Sequence, residues 1–222
     1  MNLNDALLRY LADEGPSSTS LLAAHLTCPP EDLAAGLQAL QQQGQIRAQP
    51  YRYHPEPLSL WDLSAAAARR LGAGRRRRLS PLRLDHHLGL QNLRLAASRH
   101  GYHDWRGARH CHAQGLLQPE LWQKIPDALL TCPRGRRLAL ELELFVKAGW
   151  RYQQACDAYA ELLYAGIIDA VLYITPQSLQ KRLHGRLQNV DTLHLQGCSL
   201  LFPAPLRRRF EVHALEFWPQ PA

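Results

Sequence analysis

The sequence predicts a mixed α/β protein in two parts, in which an N-terminal group of helices precedes a longer segment of mixed helices and strands. Two observations support this prediction. Leucines recur at helical spacing through the first 44 residues, whereas the segment from about residue 84 onward alternates helical stretches with short apolar strands. With 222 residues and a hydrophobic fraction of 46%, the chain is long enough to build a proper core.

The first part is predicted to contain three helices and a strand. The leucine spacing and the local start and stop signals place the helices at residues 2–13 before Gly15, after a cap at Ser17 or Ser18, and from Pro29 to Gly44. Residues 46–53 (IRAQPYRY) then alternate as a short strand does. Three helices followed by a strand pair is the order of a winged helix-turn-helix, a fold used mainly to contact DNA. We assign residues 1–54 to this fold.

Two roles remain open for the winged helix-turn-helix. Its third helix carries glutamines and two acidic residues but no lysine or arginine, so the wing residues Arg47 and Arg52 are the better candidates for phosphate contacts. The first role is DNA contact through this wing. The alternative is dimerisation or docking of a protein partner.

Residues 55–83 are predicted to be a basic linker rich in proline and arginine. Arginine dominates the basic side chains, because only three of the 26 Lys and Arg residues are lysines and the net charge is +7. The guanidinium fork matches phosphate oxygens, so Arg75, Arg76, Arg77 and Arg78 are predicted to follow a DNA backbone. The alternatives are a solvated charge run and a coding bias that replaces lysine by arginine.

The second part, residues 84–222, is predicted to form a mixed sheet with helices on it. The predicted elements are a helix at 86–99, a strand or loop through Trp105, a strand hairpin at 124–147, a helix at 151–165, a strand at 167–175, a helix at 178–187, and short strands at 192–195 and 199–202. The tail from Leu206 contains an alternating segment that suits an edge strand or a partner surface.

The hairpin contains the candidate metal-binding residues. A tight turn at Pro133-Arg134-Gly135 joins its strands, and Glu141 and Glu143 alternate with leucines on the second strand. Counting back across the turn places Asp127 opposite Glu141, with roughly 5 Å between their Cβ atoms. Three crowded carboxylates repel one another unless a cation is bound, and hard oxygen ligands suit Mg²⁺ or Mn²⁺. We therefore predict a metal site; the alternative is a strand whose glutamates face solvent.

The Pro126-Asp127 pair followed by Glu141-Leu142-Glu143 resembles the PD-(D/E)xK nuclease superfamily, whose restriction-endonuclease-like core has a similar order of elements. Where that pattern has its lysine this chain has Glu143, so Lys147 or Lys124 would supply the cation. A narrower resemblance rests on the N-terminal module, on His86-His87-Leu88, on Trp105 and on the acidic strand. These features are similar to the replication-relaxation family, which includes the C-class (MobC-type) plasmid mobilisation relaxases.

This resemblance implies an endonuclease or relaxase that nicks DNA at an origin of transfer or replication on a plasmid or other mobile element. Asp127, Glu141 and Glu143 would hold the metal, and Lys147 would offset charge on the phosphate. The resemblance adds His86 or His87 beside the site, with a helix cap as the alternative role for these histidines, and Gln154 facing the site. Tyr152 is a candidate covalent nucleophile or a core residue.

The competing hypothesis is a DNA-binding accessory protein or transcriptional regulator with an inactive nuclease-like domain. In either case DNA is the expected partner, together with a second copy of the chain or a mobilisation-complex protein. No apolar run approaches the ~18 residues of a membrane span, and five dispersed cysteines suit reduced thiols. We therefore expect a cytoplasmic protein that does not associate with a membrane.

Overall fold

The computed structural model describes residues 2–51, 58–73, 79–113 and 123–215. It is a mixed α/β structure with two compact units, residues 1–95 and 96–222. None of the helices in these described ranges combines the length and apolarity that a membrane span requires. All five cysteines are free thiols, as the sequence predicts.

The first unit begins with the predicted helices. Its elements are α1 (Leu3–Glu14), β1 (Ser17–Ser18), α2 (Thr19–Leu26), α3 (Pro30–Gln42), β2 (Ile46–Tyr51), β3 (Leu58–Leu63), α4 (Ala65–Arg70) and most of α5 (Pro81–Arg99). Side chains cap the first two helices, because Asn2 accepts a hydrogen bond from the Asp5 N–H and Ser18 accepts one from the Leu21 N–H. The leucines of α1, α2 and α3 form one buried core, and the strands form an antiparallel sheet in the order β1-β3-β2.

The predicted linker is structured over most of its described length. Residues 58–63 pair with β2 as β3, and α4 buries Ala67 and Ala68 in the core of the first unit. The prediction was wrong there because flanking prolines and arginines obscured a short alternating strand and a one-and-a-half-turn helix. Arg52 and the predicted arm, Arg75 to Arg78, lie outside the described residues.

Helix α5 also corrects the predicted domain start at residue 84. The buried side chain of Gln91 accepts a hydrogen bond from the Ser17 hydroxyl (2.9 Å) and donates one to the Pro16 carbonyl (3.0 Å). Arg94 forms an ion pair with Glu14. These contacts attach α5 to the first unit as far as residue 95.

The strands and long helices of the second unit follow the predicted order, and two short helices, Ala108–Ala113 and Ala204–Arg207, were not predicted. Its elements are β4 (His103–Gly107), α6 (Ala108–Ala113), β5 (Ala128–Thr131), β6 (Arg137–Leu142), α7 (Gly149–Tyr164), β7 (Ala170–Thr175), α8 (Gln177–Gln188), β8 (Thr192–Leu195), β9 (Cys198–Leu201), α9 (Ala204–Arg207) and β10 (Phe210–Ala214).

Five of these strands form a mixed sheet in the order β10-β7-β6-β5-β4. Strands β4, β5 and β6 are antiparallel neighbours, whereas β7 runs parallel to β6 after the α7 crossover, and β10 runs parallel to β7. Residues 210–214 of the tail therefore form an edge strand, which is one of the two roles predicted for the tail. Strands β8 and β9 form a separate hairpin.

Helix α7 packs the core of the second unit against this sheet. Its buried side chains, with Tyr152, Cys156 and Tyr159 among them, join Val171 and Tyr173 of β7 in one apolar cluster. The helix therefore covers the face of β6 and β7 that carries Ala139, Val171 and Tyr173. That is the face on which the glutamates of β6 lie.

Candidate functional site

The register of the β5–β6 hairpin agrees with the count made from the sequence. Ala128 pairs with Leu140, and the Asp127 N–H donates to the Leu140 carbonyl at 3.0 Å, so Asp127 stands across from Glu141. Gly135 adopts a φ of +79° in the turn, a left-handed conformation that glycine reaches without steric cost. The turn thus sets the position of the two carboxylates.

Asp127 is held at the beginning of β5. Its Oδ2 accepts the Leu142 N–H at 2.9 Å, and its carbonyl accepts the Ala108 N–H at 3.0 Å. The Asp127 charge contributes to raising the pKa of both Glu141 and Glu143, although burial is the larger cause in each case. The charge of Asp127 therefore acts on both glutamates.

Both glutamates are buried, contrary to the alternative of a strand with a solvent-facing acidic side. Glu141 is 3% exposed and Glu143 is 4% exposed. The Tyr159 hydroxyl of α7 donates to Glu141 Oε1. Burial of an ionised carboxylate costs several kcal/mol unless a cation compensates it. The compensating charge comes from lysines.

Each glutamate forms an ion pair with one lysine. Lys124 Nζ lies 2.6 Å from Glu141 Oε1, and Lys147 Nζ lies 2.7 Å from Glu143 Oε1. The sequence left open which of the two lysines serves the site, and the structure brings both to it. We refer to Asp127, Glu141, Glu143, Lys124 and Lys147 as the carboxylate–lysine cluster.

A tyrosine positions Lys147. The backbone N–H of Lys147 donates to the Tyr152 hydroxyl at 2.9 Å, and Tyr152 is itself a member of the core cluster. Burial raises the pKa of the Tyr152 phenol, which disfavours the phenolate that a covalent nucleophile requires. The geometry of Tyr152 is that of a core residue supporting the loop before α7.

The carboxylate–lysine cluster borders a cavity of 630 Å³ within the second unit. Glu143, Lys124 and Lys147 line the cavity from the cluster. Gln154, predicted to face the site, lines the same cavity. The remaining lining residues include side chains that the sequence analysis did not select: Trp150, Arg151, Asp157, Tyr173 and His194.

The residues missed from sequence come from elements far apart in the chain. Tyr159 lies 18 residues after Glu141, and Tyr173 stands beside Glu141 through the parallel pairing of β6 with β7. The alternation of β6 could have indicated Tyr173 only if the β6–β7 register were known. Asp157 holds His194 through a contact of 3.3 Å between Oδ2 and Nδ1.

The two candidate histidines belong to the first unit. His87 Nε2 lies 2.7 Å from the Pro16 carbonyl oxygen and 3.1 Å from Gln91 Nε2. His86 precedes it on α5 and is half-buried. The ring of His87 is therefore engaged within the first unit.

The chemistry of the carboxylates fits a divalent cation, whereas their placement is that of two ion pairs. Carboxylate oxygens are the ligands that Mg²⁺ and Mn²⁺ prefer. Across the residues that the structure describes, however, no three His, Cys, Asp or Glu side chains form a group that could hold a metal ion. A cation at Asp127, Glu141 and Glu143 would have to compete with the two lysine ammonium groups.

No protein-family model and no curated protein matches the sequence. Solved structures of Lactococcus lactis ZitR are similar to part of the chain. A double mutant in apo form is 21% identical with a TM-score of 0.29 and covers 44% of this chain and 66% of its own. A single mutant is 18% identical with a TM-score of 0.30 and covers 45% of this chain and 61% of its own. This chain spans less than two thirds of either ZitR chain.

Proposed function

We propose that this protein is an endonuclease of the relaxase type, which cleaves one DNA strand with Mg²⁺ or Mn²⁺ at an origin of a plasmid or other mobile element. The observation that supports it best is the cross-strand position of Asp127 and Glu141, with Glu143 on the same face and two lysines in contact. Carboxylates and lysines in one buried cluster suit metal-assisted phosphoryl chemistry.

The element order gives a second line of support. The antiparallel strands β4, β5 and β6, the crossover helix α7 and the parallel strand β7 follow the order expected of a restriction-endonuclease-like core. The helix expected before them, α5, belongs to the first unit as far as residue 95. The acidic residues stand at the end of β6 and immediately before β5, next to the cavity. A phosphate in that cavity would meet the lysine side chains first.

In this mechanism a cation would have to displace Lys124 and Lys147 from the two glutamates, after which Asp127, Glu141 and Glu143 would hold it. The cation would supply polarisation of the scissile phosphate and a lower pKa for water beside it. Lys147 would offset the charge that develops on the phosphate oxygens. Tyr152 keeps the Lys147 backbone in place, and Tyr159 orients the Glu141 carboxylate by its hydrogen bond.

A nicking assay tests the proposal. Supercoiled plasmid carrying a candidate origin is incubated with the protein and Mn²⁺, and the nicked form is quantified. We expect nicking by the wild type and its loss in Asp127→Ala and Glu141→Gln. Glu211→Gln is the matched control, because this glutamate lies in the same sheet on β10 and pairs with Arg136. Equal nicking by all four proteins would reject the assignment.

The first unit is proposed to contact DNA as a winged helix-turn-helix. Arg47 is exposed on β2, as a wing contact requires. Replacing Arg75 to Arg78 together with alanine should reduce the slope of log affinity against log salt by about 0.9 per lost phosphate contact. An unchanged slope in a gel-shift salt titration would reject the arm.

A second function is favoured by the ion pairs themselves. Because Lys124 and Lys147 already neutralise the glutamates, the second unit is also suited to be an inert scaffold, and the protein would then be a DNA-binding accessory protein or regulator. Retained gel-shift binding with no cleavage of supercoiled, duplex or single-stranded DNA in Mg²⁺ or Mn²⁺ would support this function over the nuclease.

A further inference from the structure

The cavity beside the carboxylate–lysine cluster has a cationic wall at the start of α7. Lys147 from the preceding loop and Arg151 from the first turn both line it. The guanidinium of Arg186 on α8 lies 3.8 Å from the position that a Cβ atom would take on Gly149. Glu143 pairs with Lys147 and Asp157 with His194, so the excess positive charge of this wall comes from Arg151.

The N-terminus of α7 adds to this positive potential. Its N-cap is Ala148, which has no polar side chain to accept the first backbone N–H groups, and its first turn contains no acidic residue. Uncapped N–H groups and the helix dipole make such a terminus favourable for a phosphate. Lys147 and Arg151 flank it on the cavity side.

A buried hydroxyl supplies an independent indication of a ligand. Tyr173 is 1% exposed and lines the cavity, yet within the described part of the chain its hydroxyl has no hydrogen-bond partner. An unsatisfied buried hydroxyl is destabilising, because it has lost its hydrogen bonds to water. A ligand group that reached this hydroxyl from the cavity would satisfy it.

The remaining feature is an exposed aromatic ring. Trp150 is 58% exposed and lines the cavity, and the Arg151 guanidinium lies 5.1 Å from its ring centre. An exposed indole beside cationic groups is the arrangement on which unpaired bases stack in single-strand-binding proteins. A base inside a duplex is already stacked on its neighbouring bases and would gain little from contact with the indole.

We propose that this cavity binds an unpaired nucleotide of a single DNA strand, with its phosphate at the start of α7 near Lys147 and Arg151 and its base on Trp150. The choice of DNA as the ligand rests on the proposed function. The single-strand preference follows from Trp150 and from the size of the cavity, whose 630 Å³ lies in the range of small-ligand sites.

The test measures binding without cleavage. The full-length protein is titrated in EDTA against a fluorescein-labelled oligo(dT) of about 16 nucleotides and against a duplex of equal length, and anisotropy is recorded. We expect Trp150→Ala to weaken single-strand binding by about 5- to 150-fold, which corresponds to one lost stacking contact. Trp150→Phe should keep most of the affinity, and duplex affinity should change little.

Two matched controls accompany these variants. Tyr164→Ala removes an aromatic ring of similar exposure from the far end of α7 and should bind as the wild type does. Arg151→Ala should reduce the salt slope of single-strand binding by about 0.7, whereas Arg134→Ala, in the exposed β5–β6 turn, should leave it unchanged.

The two proposals fail separately. If Trp150→Ala binds the single strand as the wild type does, or loses single-strand and duplex affinity equally, the nucleotide site is wrong even where Mn²⁺-dependent nicking is observed. If Trp150→Ala selectively weakens single-strand binding but the wild-type protein cleaves no DNA, the nuclease proposal is wrong and the nucleotide site stands.

Discussion

The Nζ atom of Lys124 lies 2.6 Å from Oε1 of Glu141, and this ion pair joins the segment before β5 to the centre of the sheet. The two partners differ in burial, since the Lys124 side chain is 30% exposed and that of Glu141 is 4% exposed. Burial raises the pKa of Glu141, and the lysine opposes this effect. Lys124 therefore favours the ionised form of Glu141.

Replacing Lys124 with methionine should destabilise the protein. Among the residues that the structure describes, the substitution leaves the buried Glu141 carboxylate with the Tyr159 hydroxyl as its hydrogen-bond partner. We expect the free energy of unfolding to fall by about 2 kcal/mol, less than for a fully buried pair because the lysine is partly exposed to solvent. Urea denaturation at neutral pH measures the change.

The double variant Lys124→Met/Glu141→Gln provides the control for this effect. Because it removes the buried charge together with its partner, it should recover most of the lost stability. If the single and double variants unfold at the same urea concentration, the ion pair does not set the energetics of the site.

Mn²⁺ should stabilise the wild type against thermal unfolding. A ligand that binds only the folded state adds about 2.7 kcal/mol at a hundredfold excess over its dissociation constant. Asp127→Ala and Glu141→Gln should lose this gain, and Glu211→Gln should keep it. If Mn²⁺ raises the Tm of Asp127→Ala as much as that of the wild type, the cation does not bind at Asp127.

The buried glutamates should make Mn²⁺ binding depend on pH. Burial raises the pKa of Glu141 and Glu143 above the ordinary value of 4.5, so protons compete with the cation at a higher pH than usual. We expect the affinity for Mn²⁺ to fall as the pH is lowered from about 8 to about 5, measured by isothermal titration. A constant affinity across this range would contradict ionised glutamates as ligands.

Tyr159→Phe sharpens this prediction. The Tyr159 hydroxyl lowers the pKa of Glu141 through its hydrogen bond, so its removal should shift the acid limb of Mn²⁺ binding to higher pH. Tyr164→Phe is the control, because Tyr164 is exposed at the end of the same helix. If Mn²⁺ binding depends on pH in the same way in both variants, Tyr159 does not influence the site.

The same pKa shifts affect stability with the opposite sign. Since the folded chain holds these protons more tightly than the unfolded chain, the two glutamates favour folding most below pH 4.5 and lose that contribution as the pH rises through their folded pKa values. Low pH is therefore expected to weaken cation binding while relieving the cost of burying Glu141 and Glu143.

The sequence predicted correctly the feature of the site that depends on neighbouring residues, which is the register of the β5–β6 hairpin. The turn at Gly135 and the alternation of β6 were sufficient to place Asp127 opposite Glu141, because hairpin register depends on the turn and on strand period alone. The burial of the glutamates was beyond such reasoning. It results from packing of α7 over the sheet, with Tyr159 and Tyr173 contributed by elements whose positions no local pattern specifies.

The boundary between the two units illustrates the same limit. The start of α5 looked like the opening of the second part because it follows prolines and arginines. Its attachment to the first unit depends on Gln91 bonding to Pro16 and Ser17, which lie more than 70 residues earlier in the chain. A single buried glutamine in a helix carries no sequence signal for its distant partners.

Gln91 therefore provides a direct test of where the first unit ends. Gln91→Ala would leave the Ser17 hydroxyl and the Pro16 carbonyl without this buried partner, and we expect a loss of about 2 kcal/mol in the free energy of unfolding of the first unit. Asn92→Ala is the matched control, because this neighbouring amide is exposed and bonds only within α5 to the Leu88 carbonyl. Asn92→Ala should change the free energy of unfolding by less than about 0.5 kcal/mol.

Fragments of the chain extend this test. A fragment of residues 1–95 should unfold cooperatively in urea, whereas one of residues 1–83 should show a lower midpoint, because it lacks Gln91 and the Arg94 partner of Glu14. The comparison depends on α5 contacts made inside the first unit, so it does not involve the carboxylate–lysine cluster. Equal midpoints for the two fragments, together with a Gln91→Ala variant as stable as Asn92→Ala, would return the boundary to residue 84 and make α5 part of the second unit.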